Sequence, residues 1–457
     1  MPNRVVVLGG GASGLAAAWK LADRGVAVDV IEAAPQVGGL AATIPVDGYR
    51  LDVGPHSFFS DDEAVLGAVL DLFDGHMPRR PRSVRLRMDG KKLAYPLDAA
   101  DLVRKLGAMT GLRCFASYAV ERVRPPYRGR GAEDSDLSVE QWGARHFGRH
   151  LFELFFRPYT EQFWNMPCAA LSHDVIPTSK KMSFFKTLRL LLMPKLDGAD
   201  LSLAERELLP SWYPENGFGA ICERIAATIR QSGGRIHLNR PVVGIARRRG
   251  AECVVRTRTP EDEVMEFPCD FVVSTIPLNE LPGLLSPAAP NGVTEAANRL
   301  DFLSLVVLYL VTNKDPILEC QYEYSLGNAY NRISETNKFS PFTSPEGENL
   351  LGIEFSCRYG DSVWQSTEEQ LFEQCIDPLR KEGVVMGHEV RDLLVVKARH
   401  VYPLFALGYR EPLRTILDYV ASLGNVRVVG RAGSFEYLDA DQCFKKGFAL
   451  ADEITRT

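Results

Sequence analysis

Three glycines and one acidic residue near the start of the sequence have the types and spacing needed to hold a dinucleotide. Gly9, Gly11 and Gly14 follow the apolar run Val5–Leu8, and Glu32 follows a second apolar run. In a strand–helix–strand unit these glycines permit a tight turn, close approach of a pyrophosphate, and helix–strand packing. The phosphates then lie at the helix N-terminus, where N–H groups lack partners. Glu32 suits ribose hydroxyls and would repel a 2′-phosphate, so FAD or NAD is favoured over NADP.

A glycine pair after this acid narrows the prediction to FAD. Gly38, Gly39 and the following Leu40 resemble the signature of FAD-containing enzymes of the amine-oxidase type, in which paired glycines follow the ribose-binding acid. Glycine there lets the main chain pass close to the flavin half of the cofactor. Ala12 and Ser13 complete the turn. Because no cysteine or histidine lies in an obvious attachment motif, we predict non-covalent FAD. A resident NAD, or a glycine turn that binds nothing, are the alternatives.

A histidine follows a chain-reversing corner in the same part of the sequence. The run Tyr49–Ser60 reads as a strand that ends at Gly54 and Pro55, with His56 directly after them. An isolated histidine usually has a structural role. Its position after this corner predicts a place beside the flavin ring. A helix is predicted to begin at the acidic cap 61–63.

Size and composition indicate a soluble protein of two or three domains. The chain has 457 residues, 46% of them hydrophobic and 24% charged, and a net charge of -5, which gives no reason to expect a nucleic-acid partner. Nine scattered cysteines suit reduced thiols in the cytoplasm, and eight histidines form no metal-binding pattern. The sequence opens directly into its first strand, without a signal peptide. The apolar segment 184–193 contains Lys186 and Arg189 and is too short to span a bilayer. We interpret it as a core or lid helix, with membrane-surface contact as the alternative.

The order of patterns predicts an α/β fold with a Rossmann-like FAD-binding domain of the glutathione-reductase type. An inserted, mostly helical domain and a mixed-sheet substrate domain interrupt it. We assign residues 1–80, 213–290 and 425–457 to the FAD-binding domain, 81–212 to the helical insertion, and 291–424 to the mixed sheet. A hairpin is predicted within 85–96, and the run 235–245 is predicted as one strand that extends the nucleotide sheet. The segment 124–136 is predicted to be a surface loop.

Five further motifs carry a resemblance to a known family. They are Tyr159 to Trp164, Gly54-Pro55-His56, Asn331-Arg332-Ile333, Tyr402-Pro403, and the run from Gly430-Arg431 to Gln442. Together they resemble the UDP-galactopyranose mutases and the bacterial FAD-dependent oxidoreductases similar to them. The resemblance extends over nearly the whole chain.

The resemblance implies a nucleotide-sugar substrate and assigns residues to it. Tyr159 and Trp164 match the tyrosine and tryptophan that hold uridine in the mutases. Arg332 and Arg431 match two arginines on the diphosphate, and Tyr402 and Tyr437 match hydroxyls on the same group. Guanidinium forks suit a diphosphate, and a stacked indole suits a pyrimidine. By periodicity alone, the same aromatic residues would be read as core and the same arginines as ordinary salt bridges. The pattern also assigns residues to FAD: Gly54, Pro55, His56, Val242, Gly430, Asp439 and Gln442.

Two departures from the mutase pattern keep a second reaction class open. A second mutase histidine is replaced by Phe59, and the arginine of a mobile mutase flap has no clear counterpart in the Thr-Ser-Lys-Lys run 178–181. The mutase reaction uses N5 of reduced flavin as nucleophile, with His56 acting on the flavin environment and NAD(P)H as a candidate external reductant. The alternatives are an oxidase, dehydrogenase or desaturase acting on an amine, porphyrinogen or polyene, and a non-enzymatic flavin scaffold.

Overall fold

The computed structural model describes every predicted site residue. It covers residues 2–88, 90–95, 101, 104–105, 107–124, 137–176, 210–247 and 252–456. The predicted apolar segment 184–193, positions 178–181 and residues 125–136 of the predicted loop lie outside these ranges.

The described residues form twenty strands and twelve α-helices. The strands are β1 (Arg4–Leu8), β2 (Ala27–Ile31), β3 (Thr43–Val46), β4 (Tyr49–Asp52), β5 (Arg79–Arg80), β6 (Val84–Met88), β7 (Lys91–Ala94), β8 (Ser211–Trp212), β9 (Arg235–His237), β10 (Val242–Arg247), β11 (Cys253–Arg258), β12 (Val264–Cys269), β13 (Phe271–Ser274), β14 (Leu285–Ser286), β15 (Phe302–Thr312), β16 (Tyr322–Leu326), β17 (Arg332–Glu335), β18 (Asn349–Cys357), β19 (Val390–Pro403) and β20 (Val426–Val428). The helices are α1 (Ala12–Asp23), α2 (Glu63–Asp71), α3 (Ala108–Val123), α4 (Val139–Phe147), α5 (Arg149–Leu151), α6 (Arg157–Trp164), α7 (Ala220–Gln231), α8 (Asn291–Asn298), α9 (Ser362–Gln365), α10 (Glu368–Lys381), α11 (Arg410–Ser422) and α12 (Ala440–Arg456). A π-helical turn, Phe152–Phe156, joins α5 to α6.

A parallel sheet forms around the glycine turn, as predicted. Its strand order is β20-β13-β1-β2-β9, and each strand runs parallel to its neighbours. Val5 and Val7 of β1 belong to the same hydrophobic cluster as residues of α1, α7 and α12, whereas Val6 and Leu8 belong to a second cluster. Because both faces of the sheet are covered, β1 is a continuous apolar run rather than an alternating one.

The run 235–245, predicted as one strand, is divided between two sheets. Its first part, β9, pairs with β2 in the parallel sheet. Asn239 then has a φ of 53°, and Pro241, which has no N–H group, follows it. The chain turns there, and β10 enters a separate sheet with the order β12-β11-β10-β14. The prediction of a single strand was therefore wrong, because a left-handed asparagine and a proline end the pairing.

The third large sheet is mixed and has the order β19-β15-β18-β17-β16-β6-β7. Strand β15 pairs with β18 and β19 on its two edges, and it is buried along its whole length because its alternating side chains belong to hydrophobic clusters on both faces of the sheet. The predicted hairpin, β6 and β7, joins this sheet through a parallel pairing of β6 with β16. Residues 84–94 thus share a sheet with residues 302–403, although the domain assignment above separates them.

Local capping explains where several helices begin. Asp62 accepts hydrogen bonds from the N–H groups of Ala64 and Val65, both at 3.1 Å, so α2 begins at the predicted acidic cap. Ser138 with Gln141, and Thr367 with Gln370, form reciprocal capping boxes at α4 and α10. All nine cysteines are buried and free of disulfides.

Candidate active site

A cavity of about 600 Å³ is lined by residues from the parallel sheet and from the mixed sheet. Residues that follow β1, β2, β13 and β20 form one end of it, which is where ligands bind to open parallel sheets. Seventeen predicted site residues line the cavity: Gly9, Gly11, Ala12, Ser13, Glu32, Gly38, Gly39, Leu40, Pro55, His56, Val242, Arg332, Tyr402, Gly430, Arg431, Tyr437 and Asp439.

Glu32 is held in place by two backbone N–H groups. Its carboxylate accepts hydrogen bonds from the N–H groups of Gly10, at 2.7 Å, and Ala34, at 2.8 Å. The Gly38 N–H donates to the Gly10 carbonyl at 2.8 Å, so the glycine pair lies directly beside the first turn. A carboxylate accepts about four hydrogen bonds. Glu32 therefore retains acceptor capacity for hydroxyl groups.

The glycine turn leaves open space at the N-terminus of α1. A Cβ atom added at Gly11 would meet only the Gly38 carbonyl within 4 Å, at 3.9 Å, so the space in front of this residue is open. Gly11 is also the N-cap of α1 and has no side chain to bond the first N–H groups of that helix. An open space at an uncapped helix N-terminus suits an anion.

His56 follows β4 in the chain and lines the same cavity. Gly54 has a φ of 83° and lies close to Glu354, since an added Cβ would be 3.1 Å from Oε1 of that residue. The chain turns at this glycine, and Nδ1 of His56 then lies 2.9 Å from the Gly54 carbonyl. The imidazole stacks on Phe218 with a centroid distance of 4.8 Å. Burial, and the nearby Arg431, lower the pKa of His56 to about 4. The residue is therefore neutral at physiological pH.

Arg332 is fixed by its neighbours across the mixed sheet. Its Nε and Nη2 atoms each donate to one oxygen of Glu354 at 2.8 Å, and Glu354 is its register partner on β18. The guanidinium carbon lies 5.3 Å and 5.8 Å from the rings of Tyr322 and Tyr324. Burial opposes the charge of Arg332, but Glu354 outweighs that effect and raises the arginine pKa well above its usual value. Two of the five N–H groups of the Arg332 guanidinium donate hydrogen bonds to Glu354, and the other three are left for a ligand.

Arg431 lies over two stacked tyrosines. The rings of Tyr402 and Tyr437 are 5.4 Å apart and nearly parallel, and the guanidinium carbon is 5.1 Å and 5.5 Å from them. Its Nε atom donates to the Leu438 carbonyl at 2.8 Å, and Nη1 donates to the Val401 carbonyl at 3.4 Å. These acceptors are neutral, so they do not cancel its charge. Burial, together with Tyr437, raises the pKa of the Tyr402 phenol, which therefore remains a hydrogen-bond donor.

The two aromatic residues predicted to hold uridine do not line the cavity. Trp164 is only 5% exposed, and its indole packs against Tyr402 at 6.0 Å and Tyr437 at 6.4 Å. Tyr159 contacts Phe163 and Tyr324. The spacing that suggested these residues places both on α6, but packing against β19 turns the indole into the core. Direct stacking of Trp164 on a ligand would require Tyr402 to move.

Three residues assigned to FAD support the cavity without lining it. A Cβ atom at Gly14 would lie 2.1 Å from the Gly9 carbonyl, so this glycine lets α1 pack against the turn, as predicted. Gly54 shapes the corner before His56. Gln442 accepts a hydrogen bond from the Asp439 N–H at 2.9 Å and so orders the start of α12. Their roles concern the shape of the site.

Sequence reasoning did not identify several residues of the cavity wall. Tyr322 and Tyr324 alternate along β16 and so face the same side of the sheet, with Arg332 directly opposite Tyr324 on β17. This Tyr-x-Tyr alternation was the available signal. Phe59, previously noted only as a departure, lines the cavity with the Arg82 guanidinium 4.5 Å from its ring. Further lining residues not predicted are Arg240, Thr275, Glu280, His400 and Cys443.

In the described ranges, no group of three or more His, Cys, Asp or Glu side chains could hold a metal ion. None of the helices that the structure describes is both long and apolar enough to cross a membrane.

Comparisons with known proteins identify relatives of this architecture. The sequence profile described as flavin containing amine oxidoreductase matches residues 12–382. A coproporphyrinogen III oxidase of Bacillus subtilis is 20% identical over 487 aligned positions, which cover 99% of this chain and 98% of that enzyme. A carotenoid 3,4-desaturase of Haloarcula japonica is 40% identical over 78 residues, or 17% of this chain, and the chain spans only 14% of that protein. The crystal structure of a reduced UDP-galactopyranose mutase shares the fold, with a TM-score of 0.81 at 19% identity over 100% of this chain and 96% of that one.

Proposed function

The chain belongs to the family of flavin containing amine oxidoreductases and is an FAD-dependent enzyme, and from this premise we propose that it interconverts the ring forms of a UDP-linked sugar. The predicted membership of the amine-oxidase-type flavoproteins and the predicted α/β fold are confirmed. The observation that carries the proposal is the pair of half-buried arginines, Arg332 and Arg431, which line the same cavity as His56.

The charge of the cavity favours an anionic substrate. Arg332 is paired with Glu354, but the hydrogen bonds of Arg431 go to neutral carbonyl groups. Both cations line the same cavity as His56 and help to lower its pKa. A cation enclosed in this way is stabilised by an anion, whereas a protonated amine would be repelled. A diphosphate fits this environment better than an amine does.

In the proposed reaction the bond from the anomeric carbon to the diphosphate breaks and later reforms. Between these events the ring C–O bond at the anomeric carbon breaks, its oxygen gaining a proton, and another sugar hydroxyl loses a proton and closes the ring of the other size, with no net oxidation. Reduced FAD, when bound, supplies the nucleophile for the anomeric carbon. Arg332 and Arg431 stabilise the negative charge that develops on the departing diphosphate, and the phenols of Tyr402 and Tyr437 donate hydrogen bonds to it. His56 remains neutral and adds no competing charge. Non-covalent FAD, with NAD(P)H as external reductant, completes the proposal.

The test is to incubate dithionite-reduced enzyme with UDP-galactose and related UDP-hexoses in the absence of oxygen. The expected product is an isomeric UDP-sugar of the other ring size. Arg332→Ala and Arg431→Ala should each lower kcat as well as affinity, because the charge on the diphosphate is greater in the transition state. Arg256→Ala serves as a matched control, since Arg256 is exposed on β11 and pairs with Glu266. Absence of any isomer from every UDP-hexose tested would refute the proposal.

A second candidate is net oxidation of a carboxylate-bearing substrate, such as a porphyrinogen. Phe59 in the cavity wall favours it, because this side chain replaces a histidine of the mutase pattern with an apolar surface. The full-length similarity to a coproporphyrinogen III oxidase supports it as well. The substrate would lose two electrons and two protons, and molecular oxygen would accept them to form hydrogen peroxide. Steady peroxide production, with no isomer formed from UDP-sugars, would favour this candidate over the mutase.

A further inference from the structure

Helix α3 carries a strip of large apolar side chains on its outer surface. Met109, Leu112, Phe115, Val120 and Val123 are 62%, 60%, 52%, 49% and 84% exposed. Met109, Leu112 and Phe115 are spaced by three residues, and so are Val120 and Val123. At 3.6 residues per turn, the five fall within an arc of about 140° on one side of the helix. Soluble proteins rarely leave a contiguous apolar surface of this kind uncovered unless it binds something.

The strip is not the face with which α3 joins the core. Cys114, Tyr118 and Glu121 of the same helix are buried. Cys114 packs in a hydrophobic cluster with residues of β6 and β7, and Tyr324 of the cavity wall packs against that cluster. Helix α3 therefore has one apolar side for the core and a second one that faces outward.

The exposed charged side chains on α3 and at its end are all positive. Arg113, Arg122 and Arg124 are exposed, and Glu121 is the one acidic residue between 108 and 124. That acid is buried and accepts a hydrogen bond from Arg124 at 2.7 Å, so it contributes little negative charge to the outer surface. An apolar strip bordered by arginines is the pattern of a helix that lies in the plane of a lipid interface.

We propose that α3 docks this protein on an anionic lipid surface. Charge complementarity favours this occupant over two others. A second copy of the helix would bring the same arginines against these. The apolar segment 180–195 of the chain contains four lysines and one arginine but no acid, so it would also meet like charge. Anionic headgroups attract basic residues near the surface, and the apolar strip enters the acyl boundary.

Docking would place the substrate half of the cavity next to the membrane. Tyr324 lines the cavity and also packs on the cluster that contains Cys114 of α3. This inference does not depend on which reaction the enzyme catalyses.

The experiment is vesicle sedimentation of the full-length, FAD-loaded protein. Vesicles of phosphatidylcholine alone are compared with vesicles that also contain phosphatidylglycerol. The protein should bind the anionic vesicles at least about tenfold more strongly, and less strongly as salt is added. The double variant Leu112→Glu/Phe115→Glu should lose about tenfold or more of that binding. Val264→Glu is the matched control, because Val264 is 57% exposed on β12 and should leave binding unchanged. An unaltered flavin spectrum and melting temperature show that the variants are folded.

Three results would overturn the proposal. One is a wild-type protein that stays in the supernatant with both kinds of vesicle. Another is a double variant that binds as well as the wild type does. The third is a wild type that self-associates while the double variant is monomeric, because a second copy then covers the strip and the lipid assignment is wrong.

Discussion

Replacing Gly11 with alanine should weaken FAD binding strongly and leave the fold intact. The fold tolerates the added methyl group because the space in front of Gly11 is open, whereas we expect the cofactor to occupy that space. Gly11 has a φ of -78° and a ψ of 178°, a conformation that alanine adopts without strain. An added Cβ would meet only the Gly38 carbonyl, at 3.9 Å. The methyl group would thus project into the cavity at the uncapped N-terminus of α1, where we place the pyrophosphate.

The Gly11→Ala substitution should have opposite effects on the stability of the cofactor-free chain and on its affinity for FAD. Without cofactor, alanine should stabilise the chain by about 0.4–1 kcal/mol, since it restricts the unfolded backbone. The pyrophosphate would lose the hydrogen bonds of about two N–H groups, each contributing about 1.5–3 kcal/mol when the acceptor is charged. The expected loss of FAD affinity is therefore about 3–6 kcal/mol, or more than about hundredfold.

Gly14→Ala provides the contrasting control. Its Cβ would lie 2.1 Å from the Gly9 carbonyl, so the backbone must shift, at a cost of about 1–3 kcal/mol in unfolding free energy. The assay measures flavin absorbance per protein chain, and thermal unfolding of the cofactor-free proteins by circular dichroism. A Gly11→Ala protein that purified with stoichiometric FAD would refute the placement of the pyrophosphate. An unfolded Gly11→Ala protein would show that the space in front of Gly11 is not open.

Three other predictions concern Trp164, His56 and Glu354. Trp164→Phe should change UDP affinity less than about threefold, since the indole is 5% exposed, whereas a loss of 1–3 kcal/mol, about the range for base stacking, would establish direct contact with the base. The pKa of His56 falls from 6.5 to about 4 on folding, so its contribution to stability is present above pH 6.5 and lost as the pH falls towards 4. Denaturant unfolding at pH 7 and pH 5 should therefore show a smaller difference for His56→Gln than for wild type. Glu354→Gln should destabilise the protein by about 3–5 kcal/mol and lower turnover, because Arg332 keeps a buried charge without its partner, and equal unfolding midpoints would contradict this.

The nucleotide-binding unit could be predicted from the sequence because its determinants are local. The glycines, the apolar strands and Glu32 all lie within one strand–helix–strand unit, and each has a steric or hydrogen-bonding reason to be there. The division of the run 235–245 was also encoded locally, by Asn239 and Pro241. Its apolar pattern continues across the break, however, and periodicity alone does not show where pairing changes partner.

The substrate side was less predictable because its determinants are distant in sequence. Trp164 has the spacing of a uridine-binding residue, but its burial depends on Tyr402 and Tyr437, more than 230 residues later. Similarly, β6 pairs with β16 across a similar distance, which brings Tyr322 and Tyr324 into the cavity wall. Such contacts depend on tertiary packing, which neither motif spacing nor strand propensity contains.

The strand order of the parallel sheet has a consequence for synthesis of the protein. Strands β1 and β13 adjoin in the sheet, and β20 completes its edge, yet β20 is made more than 400 residues after β1. At about 5–20 residues per second, a ribosome needs on the order of 20–90 seconds to cover that interval. During that time the surface of α1 that α12 covers stays open, and the hydrogen-bonding edge of β13 stays open from the synthesis of β13 until that of β20. A nascent chain therefore lacks Gly430 and Arg431 of the cavity until its final strand emerges, and chaperones have a defined period in which to protect it.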